Sequence, residues 1–196
     1  SVARAKKVPK KYESIPTEIP YIKNIQLQEL ATSELLHLFW KAEQEAGKWL
    51  EKSLPAIENV VNEISAKVNR GGRIIYIGAG TSGRIAAMDA VEIPCTYGFP
   101  EDRILCLIAG GVADAAIDIE SDFEEDASSV PEMLLLNVTA QDSVIGISAS
   151  GTSYYVQSAL AFAKDRVPYL SCFLCRAVCP QTPELPDRVE RPLFRF

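Results

Sequence analysis

Residues 73–84 read RIIYIGAGTSGR. Ile74, Ile75, Tyr76 and Ile77 make an unbroken β-branched and aromatic run, the composition of a covered strand. The run stops in a Gly/Ser/Thr loop. Gly78 and Gly80 let the backbone turn and be approached closely. Thr81, Ser82 and Gly83 then open a helix, IAAMDAVE. A helix N-terminus carries unpaired N–H groups and positive dipole density, so it seats an anion. The hydroxyls of Thr81 and Ser82 add donors. The stretch predicts that Gly80, Thr81 and Ser82 hold part of a phosphorylated small molecule.

Upstream, residues 1–20 are basic and then proline-punctuated, which predicts an extended leader. Residues 21–70 form an N-terminal helical segment. Gln28 to Leu38 has helical apolar spacing, and Phe39 to Leu50 continues it through Ala42, Ala46, Trp49 and Leu50. Ser53-Leu54-Pro55 reads as a fresh helix start. Ile57, Val60, Val61, Ile64 and Val68 carry that helix to Arg70-Gly71-Gly72. Downstream, Arg84 to Glu92 is a helix whose Ala86, Ala87 and Ala90 permit close packing. Pro94 to Pro100 ends it. Ile104 to Ala109 is a second strand, closed by Gly110-Gly111. An acidic segment, Asp114 to Asp126, follows. Leu134 to Leu136 leads to a turn at Asn137. Ser143 to Ile147 is a third strand, ending in the hydroxyl-rich Ser148-Ala149-Ser150-Gly151-Thr152-Ser153. Tyr154 to Ala163 is helical and Val167 to Leu174 is a fourth strand. Residues 181–196 are a proline-bearing tail.

Alternation of strand, loop and helix predicts an α/β fold, with a parallel sheet between helices over residues 71–180. Ligands of such sheets sit beyond the carboxyl ends of the strands. The loops 78–84 and 148–153 both fall at such ends.

The totals exclude several classes. The chain has 196 residues, 47% hydrophobic and 23% charged, with net charge −6. That charge argues against a nucleic-acid partner, which needs a basic face. No run of about 18 apolar residues is available to span a membrane. No apolar signal segment follows the basic start, so the expected compartment is the cytoplasm. The odd set Cys95, Cys106, Cys172, Cys175 and Cys179 suggests reduced thiols.

The motifs leave alternatives. GxGxxG is formally present at Gly78, Gly80 and Gly83. The acidic residue that a dinucleotide site expects after the next strand is replaced by Ala109-Gly110-Gly111. No GxxxxGK[ST] supports a triphosphate loop. The second loop reads as a plain helix cap or as the other half of the phosphate site. Cys172, Cys175 and Cys179 could suggest a metal set, but no fourth ligand is obvious and a strand position suits packed thiols. His37 reads as a helix-face residue. Trp40 and Trp49 read as core or interface. No cofactor is expected.

GAGTSGR, then MDAVEIPCTYG, LIAGG, NVTAQD and GISASG, in this order and spacing, resemble the N-acetylmuramic acid 6-phosphate etherase family. That family has the sugar isomerase (SIS) fold and counts glucokinase regulatory protein as a relative. The likeness runs from about Thr17 to Ala163. It implies a three-layer SIS-type domain and a lyase that cleaves the D-lactyl ether of a phosphorylated amino sugar. The products would be N-acetylglucosamine 6-phosphate and D-lactate, by elimination and then water addition, without a metal. It implies two catalytic glutamates. Glu92 of DAVEI matches the first, which protonates the leaving group. Glu124 matches the second, the base, with one inserted residue; without a gap that position is Phe123, and Glu120 matches an earlier glutamate of the same segment. By the same resemblance the 6-phosphate falls on Gly80, Thr81, Ser82, Ser148, Ser150, Gly151, Thr152 and Ser153, and the chain is a homodimer. After GISASG the family continues Arg-Thr-Pro, where this chain has Thr152-Ser153-Tyr154. A non-catalytic sugar-phosphate sensor and an aldose–ketose isomerase on the same fold are the alternatives.

Overall fold

The structure, a computed structural model, describes residues 25–111, 128–164, 166 and 171–173. Its strands are β1 (Ile74–Gly78), β2 (Ile104–Ile108), β3 (Ser143–Ile147) and β4 (Ser171–Phe173). The helices are α1 (Thr32–Asn69), α2 (Gly80–Tyr97), α3 (Val130–Leu135) and α4 (Tyr154–Lys164). The strands form a parallel sheet in the order β2-β1-β3-β4. The expected α/β sheet is therefore present.

Register shows which helix covers which face. Ile77 pairs with Leu107 and Gly146, and Gly78 pairs with Ile108 and Ile147. Side chains alternate along a strand, so these two rows face opposite ways. A Cβ on Gly146 would meet Val156 and Leu160 of α4 at 2.8 and 2.9 Å. A Cβ on Gly83 of α2 would meet Ile108 at 2.8 Å. Hence α2 lies on one face and α4 on the other. The main core is on the α4 side. There Ile75, Ile77 and Val144 meet Met133 of α3 and Tyr155, Val156, Ala159 and Ala163 of α4. Each large aliphatic buried this way contributes about 1.5–3 kcal/mol.

The N-terminal region departs from the expected pair of helices. α1 is one helix of 38 residues with Pro55 inside it. Pro55 cannot donate to the carbonyl of Glu51, but both residues are solvent-exposed, where water can satisfy that carbonyl. The helix begins at Thr32, not Gln28. Its first free N–H is met by Glu34, whose Oε2 accepts from Ala31 N–H at 2.9 Å. Val60 and Lys67, near its C-terminal end, are buried. Leu36, Phe39 and Trp40, farther back, are each more than half exposed. His37 donates from Nδ1 to the Ser33 carbonyl at 2.8 Å, as a helix-face residue would.

Two other differences have local causes. α2 runs past Glu92 and through Pro94 to Tyr97, where Gly98 in the left-handed conformation (φ 65°) donates its N–H to Pro94 O. α3 falls on a stretch with no helical pattern. It is held from outside: Ser129 N–H donates to Ser158 Oγ at 3.1 Å, and Ser129 Oγ donates to Tyr155 O at 2.7 Å. The acidic segment 114–126 and most of the cysteine-rich segment lie outside the described residues.

Candidate functional site

β1 connects to β2 on one side through α2, while β3 connects to β4 on the other side, the side of α4. The strand order therefore reverses between β1 and β3. In doubly wound sheets that reversal opens a crevice beyond the carboxyl ends of the two strands. Gly78 and Ile147, the last residues of β1 and β3, are register partners, so loops 78–84 and 148–153 start about 4.8 Å apart. The structure thus brings together the two hydroxyl-rich loops.

Glycines set the first loop. A Cβ on Gly78 would lie 2.6 Å from Gly83 Cα and N. The strand end and the first turn of α2 touch backbone to backbone. Gly80 has φ +54°, the left-handed conformation that glycine adopts freely. The residue before α2, Ala79, offers no side-chain cap. The first N–H groups of α2 are therefore left for a ligand. Thr81 is exposed and Ser82 half-buried beside them.

The second loop is partly self-bonded. Gly151 N–H donates to the buried Ser148 Oγ at 3.0 Å. The Ser150 and Thr152 hydroxyls are 2.6 Å apart, and Thr152 N–H donates to Ser150 Oγ at 3.2 Å. Gln157 of α4 donates from its side chain to Gly151 O at 2.7 Å. Gly151, with φ +74°, makes the turn. Ser153 precedes α4, where a serine usually caps the helix with its own oxygen. Here Ser153 is 5% exposed, and its Oγ has no hydrogen-bond partner among the described residues. A buried unpaired hydroxyl costs about 1–3 kcal/mol. Uncapped N–H groups, hydroxyls and one unpaired buried oxygen are a donor set for a phosphate.

The expected glutamates are not gathered here. Glu92 is exposed on α2, twelve residues beyond Gly80, or about 18 Å along the helix axis. Glu124, with Phe123 and Glu120, lies outside the described residues. Among the described residues no group of three His, Cys, Asp or Glu is placed to hold a metal ion. Burial pushes the Cys106 thiol up to about 11, so it stays protonated and unreactive at neutral pH. No described helix is long and apolar enough to cross a membrane.

Sequence reasoning missed two polar contacts. At the amino ends of the strands, Arg73 grips Asp142 with Nε–Oδ1 at 2.9 Å and Nη2–Oδ2 at 2.8 Å. Lys67 Nζ donates to Asp142 O at 2.8 Å, and Thr139 N–H donates to Asp142 Oδ2 at 2.8 Å. Burial works to raise the Asp142 pKa, but the Arg73 side chain and the N–H groups of Thr139 and Arg73 outweigh it and hold the carboxyl below its ordinary value. A depression of about 420 Å³ opens there, lined by Gly71, Arg73, Asn137, Gln141 and Asp142 among others. It lies at the end of the sheet opposite the loops. The second contact joins β1 to α2, where Tyr76 Oη donates to Asp89 Oδ2 at 2.7 Å. The partners in these contacts are 69 and 13 residues apart, too far for a local pattern to show.

The family model described as the glucokinase regulatory protein N-terminal SIS domain matches residues 56–164. N-acetylmuramic acid 6-phosphate etherase from Geobacillus sp. (strain WCH70) is 38% identical over 153 residues, covering 78% of this chain and 52% of that protein. The etherase from Bacteroides fragilis is 35% identical over 164 residues, covering 84% and 58%. The chain spans about half the length of the curated relatives it matches. Phosphoheptose isomerase GmhA from Neisseria gonorrhoeae has a similar fold, with TM-score 0.53 and 19% identity over 76% of this chain and 74% of that one. The matched region contains β1 to β3, both loops and α2, and on it the chain belongs to the family of SIS domains typified by that of glucokinase regulatory protein, with N-acetylmuramic acid 6-phosphate etherases among its relatives.

Proposed function

We propose that the chain is a sugar-phosphate lyase that cleaves the D-lactyl ether of N-acetylmuramic acid 6-phosphate, releasing D-lactate and N-acetylglucosamine 6-phosphate. The observation that carries this is the pair of hydroxyl-rich loops at the strand reversal, on a chain similar to etherases. The 6-phosphate sits on the first N–H groups of α2, on Thr81 and Ser82, and on Ser148, Ser150, Gly151, Thr152 and Ser153. Its charge meets helix dipoles and neutral donors. The ring-opened sugar presents an aldehyde, and the proton on the adjacent carbon is acidified by it. Glu124 takes that proton while Glu92 protonates the departing lactate oxygen. Water then adds to the double bond. One carboxyl serves as base and the other as acid, a division that general acid–base catalysis requires. No cofactor takes part.

The protein works as a homodimer in this reading. About 18 Å of helix between Gly80 and Glu92 exceeds the reach of a hexose 6-phosphate from its phosphorus to its ether oxygen. Glu92 lies on the side of α2 away from the sheet, with Ile85 and Met88, which are 59% and 69% exposed. A solvated helix face normally carries polar residues there. A second copy docked on this face brings Glu92 to the loops of its partner and covers the apolar residues.

Incubation with N-acetylmuramic acid 6-phosphate should release D-lactate, and Glu92→Gln should abolish release while sugar-phosphate binding persists. Unchanged turnover in Glu92→Gln removes Glu92 from the mechanism. A second reading, a non-catalytic sugar-phosphate sensor, draws on the match to a regulatory protein's domain and on the distance of Glu92 from the loops. Absence of D-lactate, with saturable thermal protection by sugar 6-phosphates, selects it.

A further inference from the structure

α2 meets the sheet through small residues. Gly83 and Ala86 are buried and Ala87 and Ala90 half-buried. Small side chains bring a helix close but offer shallow ridges, so they resist rolling about the helix axis poorly. At the first turn the backbone contact of Gly78 with Gly83 fixes the helix. Farther along, Tyr76 reaches up from β1 and donates its hydroxyl to Asp89 at 2.7 Å. Burial first, then this bond, raise the Tyr76 pKa well above its ordinary value. The phenol is therefore a donor throughout the neutral range.

Asp89 is three residues before Glu92, so the two are neighbours on the helix surface. Glu92 is on the far side of α2 from the sheet, so a roll of the helix carries it sideways. A helix with its side chains is about 10–12 Å across, so a roll of about 10° about its axis shifts a side-chain tip by about 1 Å. A misplacement of about 1 Å can cost about a hundredfold in rate.

We infer that Tyr76 and Asp89 are positioning residues that fix the rotation of α2 and so set where Glu92 is presented. The consequence for rate rests on the etherase reading; the restraint on α2 does not. The test uses the full chain and four forms: wild type, Tyr76→Phe, Asp89→Ala and Asp89→Asn. Phenylalanine keeps the ring and deletes the donor. Alanine deletes the acceptor, and asparagine restores one.

Hydrogen exchange across residues 84–97 should rise about tenfold in Tyr76→Phe and Asp89→Ala. It should stay unchanged in β3 and return towards wild type in Asp89→Asn. In the D-lactate assay, kcat should fall about tenfold or more in the first two variants, with KM within about twofold. Unchanged exchange in α2 overturns the inference, whatever the activity. Raised exchange with unchanged kcat overturns the link to Glu92. Failure of Asp89→Asn to restore exchange shows that the hydrogen bond is not what restrains the helix. If the wild type releases no D-lactate, the etherase reading falls and exchange alone decides the restraint.

Discussion

The two ends of the sheet treat polar groups differently. At the amino ends most are paired, although Ser143 Oγ, buried beside Asp142, has no hydrogen-bond partner among the described residues. Asp142 accepts from Arg73, Thr139 and the Arg73 backbone, and its carbonyl accepts from Lys67. Arg73 also donates to the carbonyl of Leu136. At the carboxyl ends α2 starts without a side-chain cap, and the buried oxygen of Ser153 has no partner among the described residues. Polar groups that are fully paired stabilise a fold. Polar groups left unpaired cost stability and persist where a ligand completes them. The depression at the amino ends is lined by Arg73 and Asp142, which are already paired with each other. A charged network at one end and an uncapped helix start at the other separate a scaffold end from the proposed ligand end.

That contrast predicts the largest stability loss at Asp142. Asp142→Ala takes the carboxylate from Arg73 and from the Thr139 N–H, while Lys67 keeps its bond to the backbone carbonyl of residue 142. Breaking a buried pair by removing one member costs about 3–5 kcal/mol. Chemical denaturation should show the midpoint falling with an unchanged slope. A loss below about 1 kcal/mol would mean that the amino-end network is ornamental and the contrast false.

Next in size is the backbone seam at the carboxyl end, the Gly78–Gly83 contact. Gly83→Ala places a methyl 2.8 Å from Ile108 Cγ2 and 3.0 Å from Gly78 O. Overpacking of this kind costs about 1–3 kcal/mol. Because it also shifts the first turn of α2, sugar-phosphate affinity should fall together with thermal stability. A variant that loses only one of the two would show that the α2 N-terminus and the ligand seat are separable.

How much of this was legible in the sequence follows from the range of each interaction. β1 and β3 stood out because their apolar runs end in glycine and hydroxyl loops, all within one stretch of chain. The loops of the proposed phosphate seat were legible for the same reason, since a strand end and the next helix start are neighbours in sequence. α3 was not, because Ser129 is anchored by Tyr155 and Ser158, 26 and 29 residues away. Pro55 misled because proline marks helix starts, and only the solvent exposure around it explains why α1 passes through. The distance of Glu92 from the loops was hidden in a simple way. The motif that names it is contiguous with the phosphate loop, but a helix carries it about 18 Å away.

A smaller effect comes from pH. The Asp142 carboxyl is held below its ordinary value when folded, while the unfolded carboxyl titrates near about 3.9. The stability it contributes is complete above the unfolded value and is lost as pH falls through the folded one. Stability should therefore drop below about pH 4, and Asp142→Asn should flatten that slope. An identical slope in the variant would assign acid sensitivity to other carboxylates.

The smallest expected change in stability, and the sharpest test of the contrast, is Ser153→Ala. A hydroxyl that made a normal cap would cost about 1 kcal/mol on removal. Ser153 Oγ makes no such bond in the described structure, so its removal relieves an unpaired buried group and should leave stability unchanged or raise it by up to about 1 kcal/mol. The same change deletes a donor from the proposed phosphate seat. Thermal protection by a sugar 6-phosphate should then need about tenfold more ligand, the equivalent of one hydrogen bond to a charged group. Stability and binding would thus move in opposite directions, the signature of a group kept for its ligand. If both fall together, Ser153 is an ordinary cap and the carboxyl end has been misread. If neither moves, the hydroxyl faces no phosphate, and the seat narrows to the first turn of α2.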